Sequence, residues 1–269
     1  MTQNNNISVL PFYPALADQY SKKWWLYGHV YPLFVSADSL IPFQITVPHI
    51  TAANVLGAFN LINYNTGAQV VNLRPDLVSG GLGSKKFAAQ NVDVVVYPGH
   101  GTGMALSEGR YYIDAVVDSV HYYSEVFTVV SDVSPYLKIE WWDDDDFIMD
   151  DCAIVYSVND FKNRLYLISD LAKPEYPFEE EGETRDGYFF PTKQISEKRY
   201  RFHFLAAEYL LDVMRFIRMS DHVKITYHGV VYNADTFLIT PEWESEGDFA
   251  GVEAVFDTNT VAKKIGRMA

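Results

Sequence analysis

The sequence predicts a mainly β protein with an α+β part: an N-terminal antiparallel, immunoglobulin-like sandwich followed by an α+β domain with one main helix on an antiparallel sheet. Three observations carry this. Aromatic residues make up 15% of the chain, with 19 Tyr and 17 Phe, side chains that suit pleated, half-buried surfaces. Short apolar runs recur along the chain between Gly, Asn, Asp or Pro clusters. Only one segment, around residue 210, carries a helical period. With 269 residues and 48% apolar content the chain can bury one large core or two ordinary ones, and its length favours two domains.

Residues 1–40 read as an aromatic N-terminal arm. Pro11, Pro14 and Pro32 break any periodicity, and "KKWWLYGHVYPLFV" supplies a cluster of rings. An exposed segment of this kind needs something to pack on, which makes Trp24, Trp25, Tyr27 and Tyr31 candidate interface residues. Trp and Tyr also stack on sugar faces, so a carbohydrate-binding platform is the alternative reading of the same rings.

Residues 41–132 read as the β-sandwich domain. "PFQITV", "AFNLINY", "QVVNL", "NVDVVVY", "RYYIDAVV" and "SEVFTVV" are short strands at the spacing of an antiparallel sandwich. The stretch from Leu106 to Ser134 reads as a hairpin with Asp118 and Ser119 in its turn. Tyr111, Ile113, Ala115 and Val117 then share one face by the period of two.

Residues 133–269 read as the α+β domain. "YLKIEWW", "CAIVYSV", "NRLYLISD" and "YRFHFL" are strand candidates, and "AAEYLLDVMRFIRM" is the helix. In that helix Tyr209, Leu210, Val213, Met214, Phe216 and Ile217 recur near i, i+3 and i+4, and Arg215 and Arg218 lie near the end where cations suit the dipole. "HVKITYHGVVYNADTFLITPEW" and "FAGVEAVFDT" then alternate, with turns expected at His228–Gly229, at 233–235 and in "ESEGD". No element is assigned between residues 171 and 198.

The formal net charge of -14 disfavours docking on phosphate backbones or anionic lipid, so neither nucleic acid nor a membrane is an expected partner. The single Cys152 can form no intrachain disulfide, and its apolar neighbours favour an inert buried thiol. The start lacks a basic and an apolar signal region, and no run reaches the ~18 apolar residues of a membrane span. Charge is unevenly placed: residues 140–186 hold 15 acidic side chains against Lys162, Arg164, Lys173 and Arg185. The next zone is basic, with Lys193, Lys198, Arg199, Arg201, Arg215, Arg218 and Lys224. Separated zones of opposite sign can pair head to tail between copies.

The run Asp143, Asp144, Asp145 and Asp146 is the sharpest chemical candidate. A calcium-binding helix-loop-helix needs oxygen ligands at alternate positions, a glycine at the sixth and a glutamate at the twelfth; no register starting in the run supplies the glycine. A site assembled from carboxylates on distant strands is not tested by spacing. The run therefore reads as the charged tip of a hairpin between "YLKIEWW" and "CAIVYSV", facing either water or a basic partner surface. The Gly99, Gly101 and Gly103 cluster lacks dinucleotide-binding spacing, "SGGLGSKKF" does not complete a phosphate-binding loop, and both read as sandwich loops. The seven histidines form no zinc-protease pattern, and no serine-hydrolase elbow is present. A pair of glycosidase carboxylates is always available in an acidic chain, but nothing singles one out. No catalytic, metal or cofactor site is expected, and the chain reads as a non-enzyme.

"GRYYIDAVVDSVHYYSEVFTVVSDVSPYLKIEWWD", then "KPEYPFEEEGETRDGYFFPTKQISEKRYRFHFLAAEYLLDVMRFIRMSDHVKI" and "ADTFLITPEWESEGDFAGVEAVFDTNTVAKKIG", resemble virion structural proteins of tailed phages and prophages of Bacteroides-type bacteria, including the crAss-like group. The resemblance spans about residues 105–266 and carries no catalytic residues. It implies a tail, ring or head-to-tail connector subunit that assembles with copies of itself in a ring and with other virion proteins. It also implies a place in the virion after assembly in the host cytoplasm. A carbohydrate-binding host-recognition module and a metal-dependent hydrolase using the acidic zone are the competing expectations.

Overall fold

The structure, a computed structural model, describes residues 8–14, 32–48, 56–73, 85–87, 92–99, 105–117, 119–144, 147–149, 152–154, 161–243, 249–258 and 262–265. The N-terminal half runs β1 (Phe12–Pro14), β2 (Leu33–Ser36), β3 (Phe43–Pro48), β4 (Leu56–Asn63), β5 (Gln69–Asn72), β6 (Lys85–Phe87), β7 (Val92–Tyr97), β8 (Gly109–Val117), β9 (Val120–Ser124) and β10 (Phe127–Val130). At its centre β8 bonds to β4 along one edge and to β9 and then β10 along the other. β1 extends the sheet beside β9, and β5 beside β4. β2 joins β10 in parallel, so this seven-stranded sheet is mixed. A separate antiparallel sheet has the order β3-β7-β6.

The period of two explains the inward face. Tyr111, Ile113, Ala115 and Val117 are all buried, as their alternation predicts, and the hairpin turns at Ser119 with a left-handed φ of 64°. Phe43 ties the two sheets together, with ring centroids 4.9 Å from Phe12, 5.0 Å from Tyr97 and 6.4 Å from Phe59. This strand order does not establish an immunoglobulin-like sandwich; the parallel β2–β10 pair departs from an all-antiparallel layer. Within the stretch 1–40, β1 and β2 bond directly to β9 and β10.

The C-terminal half runs β11 (Leu137–Trp142), β12 (Phe147–Met149), β13 (Cys152–Ile154), β14 (Asn163–Leu167), β15 (Phe178–Arg185), β16 (Tyr188–Ser196), β17 (Arg199–Ala207), α1 (Glu208–Met214), a 3-10 turn (Ile217–Met219), β18 (His222–Tyr227), β19 (Val230–Trp243), β20 (Phe249–Thr258) and β21 (Ala262–Ile265). Six strands form one antiparallel sheet in the order β14-β11-β18-β19-β20-β17. Leu137, Ile139 and Trp141 face its core, as do Tyr200, Phe202, Phe204 and Ala206 from β17. The helix packs on this sheet through Leu210, Val213 and Met214.

Three expectations change here. The helix predicted over 206–219 shrinks to Glu208–Met214, because Ala206 continues the inward alternation of β17 against β20 and pairing with a sheet overrides its helix preference. The turn predicted at 233–235 is a β-bulge between Ala234 and Thr236 inside the 14-residue β19, whereas His228–Gly229 is a true turn with φ of 47° and 77°. The strands flanking the aspartate run do not pair with each other: β11 has both edges filled by β14 and β18, and β13 pairs with β12.

One contiguous apolar core includes Leu33, Phe43 and Tyr111 from the first half and Ile139, Phe202 and Phe256 from the second. At the junction Phe34 stacks on Tyr136 at 4.5 Å, and Arg164 bonds both to Glu140 in its own sheet and to Ser39 across it.

Candidate functional site

The aspartate run is folded back onto its own chain. The Asp143 carboxylate accepts the Asp221 backbone N–H at 2.6 Å, and the Asp144 N–H donates to Asp221 Oδ2 at 3.3 Å. Asp144 Oδ1 lies 2.9 Å from His222 Nε2. Partial burial pushes the Asp143 carboxyl above its ordinary value, against the Asp221 amide bond that lowers it. Beside this loop the His222 ring stacks on Trp142 at 4.9 Å, and the Lys162 and Lys224 ammonium groups lie 4.6 and 5.3 Å from the Trp142 ring centroid. Asp143 and Asp144 thus find hydrogen-bond partners within the chain, at Asp221 and at the start of β18. Asp145 and Asp146 lie outside the described residues, as do Trp24, Trp25, Tyr27 and Tyr31.

The two charge zones also meet inside the chain. Arg164 and Lys138 both hold Glu140 at 2.9 Å, Lys193 holds Glu181 at 2.7 Å, and Arg201 holds Glu175 at 2.9 Å and Glu253 at 2.6 Å. Arg199 forks onto Asp257 at 2.8 and 3.1 Å, and Thr236 donates to the same carboxylate; the Arg199 hydrogen bond, opposed by burial and aided by Thr236, holds it below the ordinary range. Neighbouring strands of the one chain satisfy part of the split charge.

Among the described residues no group of three His, Cys, Asp or Glu side chains is placed to hold a metal ion. No helix of the described residues is long and apolar enough to cross a membrane. Gly99 serves the fold: at φ 76° it lets the chain pass so close to Leu40 that an added Cβ would sit 2.7 Å from the Leu40 carbonyl oxygen. Gly101, Gly103, Cys152's side chain, His29, His49 and His100 lie outside what is described.

The feature that stands apart from the body is the three-stranded sheet β15-β16-β21. Its hairpin turns at Asp186–Gly187, where φ values of 51° and 80° give the doubly left-handed geometry of a two-residue turn. Every residue of β15 is exposed, as are Tyr188 to Thr192 and all of β21. β21 covers only Lys193–Ser196 of β16, so the outer half of the hairpin is a two-stranded ribbon. At about 3.4 Å per residue its eight-residue strand spans roughly 27 Å.

Register and pleat assign two faces. Glu179, Glu181, Glu183, Tyr188, Phe190, Lys193, Lys263 and Ile265 share one; Phe178, Glu180, Phe189, Pro191, Gln194 and Lys264 share the other. Polar bonds brace the ribbon, from Gln194 to Glu180 at 2.6 Å and from the Thr192 hydroxyl to the Glu181 carbonyl at 3.1 Å. The Phe189 ring lies over Gly182 beside the bulge, where an added Cβ would come within 2.7 Å of it. At the base, Glu175 and Arg199 form a β-bridge with backbone bonds of 2.8 and 2.9 Å.

This sheet exposes apolar rings on both faces: Tyr188 is 72% exposed, Phe178 58%, and Phe189 and Phe190 about half. A lone two-stranded ribbon is marginal in water, and clustered exposed rings mark contact surfaces. The glutamates of β15 hide this strand in the sequence, because no face of it is apolar. The available signal was the Asp186–Gly187 pair between Thr184–Arg185 and Tyr188–Phe190, a hairpin turn type in its own right. Compared with known proteins, the chain matches no family model, and no curated protein or solved structure is significantly similar to it.

Proposed function

We propose that this protein is a structural, non-enzymatic subunit of a tailed-phage virion, acting in a tail, ring or connector through oligomeric assembly. The observation that carries the assembly part is the projecting sheet β15-β16-β21, which shows rings and charged edges to solvent on both faces. A domain gains nothing for its own core from such a ribbon; it gains when a neighbour covers it. The virion part rests on the sequence resemblance over about residues 105–266. The ribbon lies within the resembling stretch.

Mass spectrometry of purified particles from the phage or prophage whose genome carries this sequence tests the reading, together with native mass spectrometry of the purified chain at rising concentration. Presence in particles at multiple copies and formation of oligomers are expected. A chain that stays monomeric and is missing from the particles overturns it.

A further inference from the structure

The two outer edges of the projecting sheet carry opposite charge. β15 presents Glu179, Glu180, Glu181 and Glu183 against the single Arg185, while β21 presents Lys263 and Lys264. Among the described residues, both strands are bonded on one side only, to β16. Charged edge strands commonly guard against association. Here, however, only the like pairings are penalised: β15 on β15 sets glutamates together, and β21 on β21 sets lysines together. The unlike pairing is favoured.

The geometry points to a specific partner. We propose that the sheet continues from one copy of this chain into the next, the β15 edge of one copy pairing with the β21 edge of its neighbour. This deepens the assembly reading and rests on it. Because β15 and β21 are each antiparallel to β16, they run in the same direction, and a continued sheet joins them as a parallel pair.

The register is already set within one copy. Ser196 pairs with both Phe178 and Ala262, and Gln194 with both Glu180 and Lys264. A level continuation therefore brings Lys263 beside Glu179 on one face and Lys264 beside Glu180 on the other. Both lysines meet a glutamate on their own face, which a one-residue slip would undo. The contact uses two different edges, so it is heterologous and generates a ring or an open helical array according to the rotation between copies.

Charge reversal tests this. One variant carries Glu179→Lys with Glu180→Lys, a second Lys263→Glu with Lys264→Glu, both checked for an unchanged circular dichroism spectrum and melting temperature. Each alone should assemble roughly tenfold or more weakly than the parent chain, by native mass spectrometry and sedimentation, with like charges now facing. Mixed in equal amounts they should recover assembly, because alternating copies restore an unlike pair at every contact. In the parent chain, Glu180→Cys with Lys264→Cys should give a ladder of disulfide-linked oligomers under oxidation.

Parent oligomers that ignore both reversals and give no ladder would overturn the edge pairing while leaving assembly by another surface intact. A parent chain that remains monomeric at all concentrations and is absent from particles would overturn both, and identify the charged edges as protection only.

Discussion

Arg164 Nη1 lies 2.9 Å from Ser39 Oγ, a bond spanning 125 positions of sequence that joins the C-terminal sheet to the segment after β2. The same guanidinium donates from Nε to Glu140 Oε1 at 2.9 Å, and both side chains are mostly shielded from water. Arg164→Met keeps the apolar stem but removes these bonds, and should lower stability by about 1–3 kcal/mol. Urea unfolding measures it, and an unchanged midpoint would mean that apolar packing alone joins the halves.

Glu140 adds a pH dependence to that junction. Burial works against its ionisation, but the Lys138 hydrogen bond and the charges of Arg164 and Lys138 outweigh this and hold its carboxyl below the ordinary 4.5. A depressed folded value gives stability that is present above the unfolded value and is lost as pH falls through the folded one. Arg164→Met should therefore flatten the acid limb of the stability curve, and a limb as steep as the parent's would speak against Glu140 as its source.

Glu125 has the opposite sign. It is 6% exposed, and burial pushes its carboxyl up, only partly opposed by the Val126 N–H at 3.4 Å. The folded state then holds the proton more tightly than the unfolded chain, so stability is fullest below the unfolded value and declines as pH rises through the folded one. Glu125→Gln should raise the melting temperature at about pH 8 and leave it nearly unchanged at about pH 4. A loss of stability at both would show that the carboxylate is used rather than tolerated.

Asp143 separates hydrogen bonding from charge. Asparagine in its place can still accept the Asp221 N–H while removing a carboxylate that burial disfavours. Asp143→Asn should be neutral or stabilising at neutral pH, and Asp143→Ala should cost about 0.5–1.5 kcal/mol by leaving that amide unpaired. Equal effects of the two changes in thermal unfolding would argue against the bond.

Gly182 is required by the ribbon and not by the body. A side chain there meets the Phe190 backbone and the Phe189 ring. Gly182→Val should open the outer hairpin to proteolysis between residues 183 and 190 while the cooperative unfolding of the body is retained. Protection equal to the parent chain's would show that the bulge can relax around a Cβ.

The alternation of β8, β11 and β17 was legible because one face of each is buried, and burial writes itself as a period of two. The helix was legible because it too buries one face, through Leu210, Val213 and Met214. β15 was not, since a strand exposed on both faces has no apolar side to betray it. The aspartate run reads as a hairpin tip only if the strands nearest in sequence pair, whereas β11 pairs with β14 and β18 instead.

By itself the sequence determined the β-rich class, the inward faces, the tight turns at Ser119 and His228–Gly229, and the uneven charge. These follow from local residue chemistry and side-chain period. Tertiary structure decided the rest: which strands became neighbours, that Ala206 and Ala207 end a strand rather than begin a helix, and that acidic and basic zones meet in part within one chain. It also set the two edges of one small sheet at opposite charge. Pairing between distant strands depends on which edges and faces remain unfilled once the core has formed, and no short window of residues contains that information.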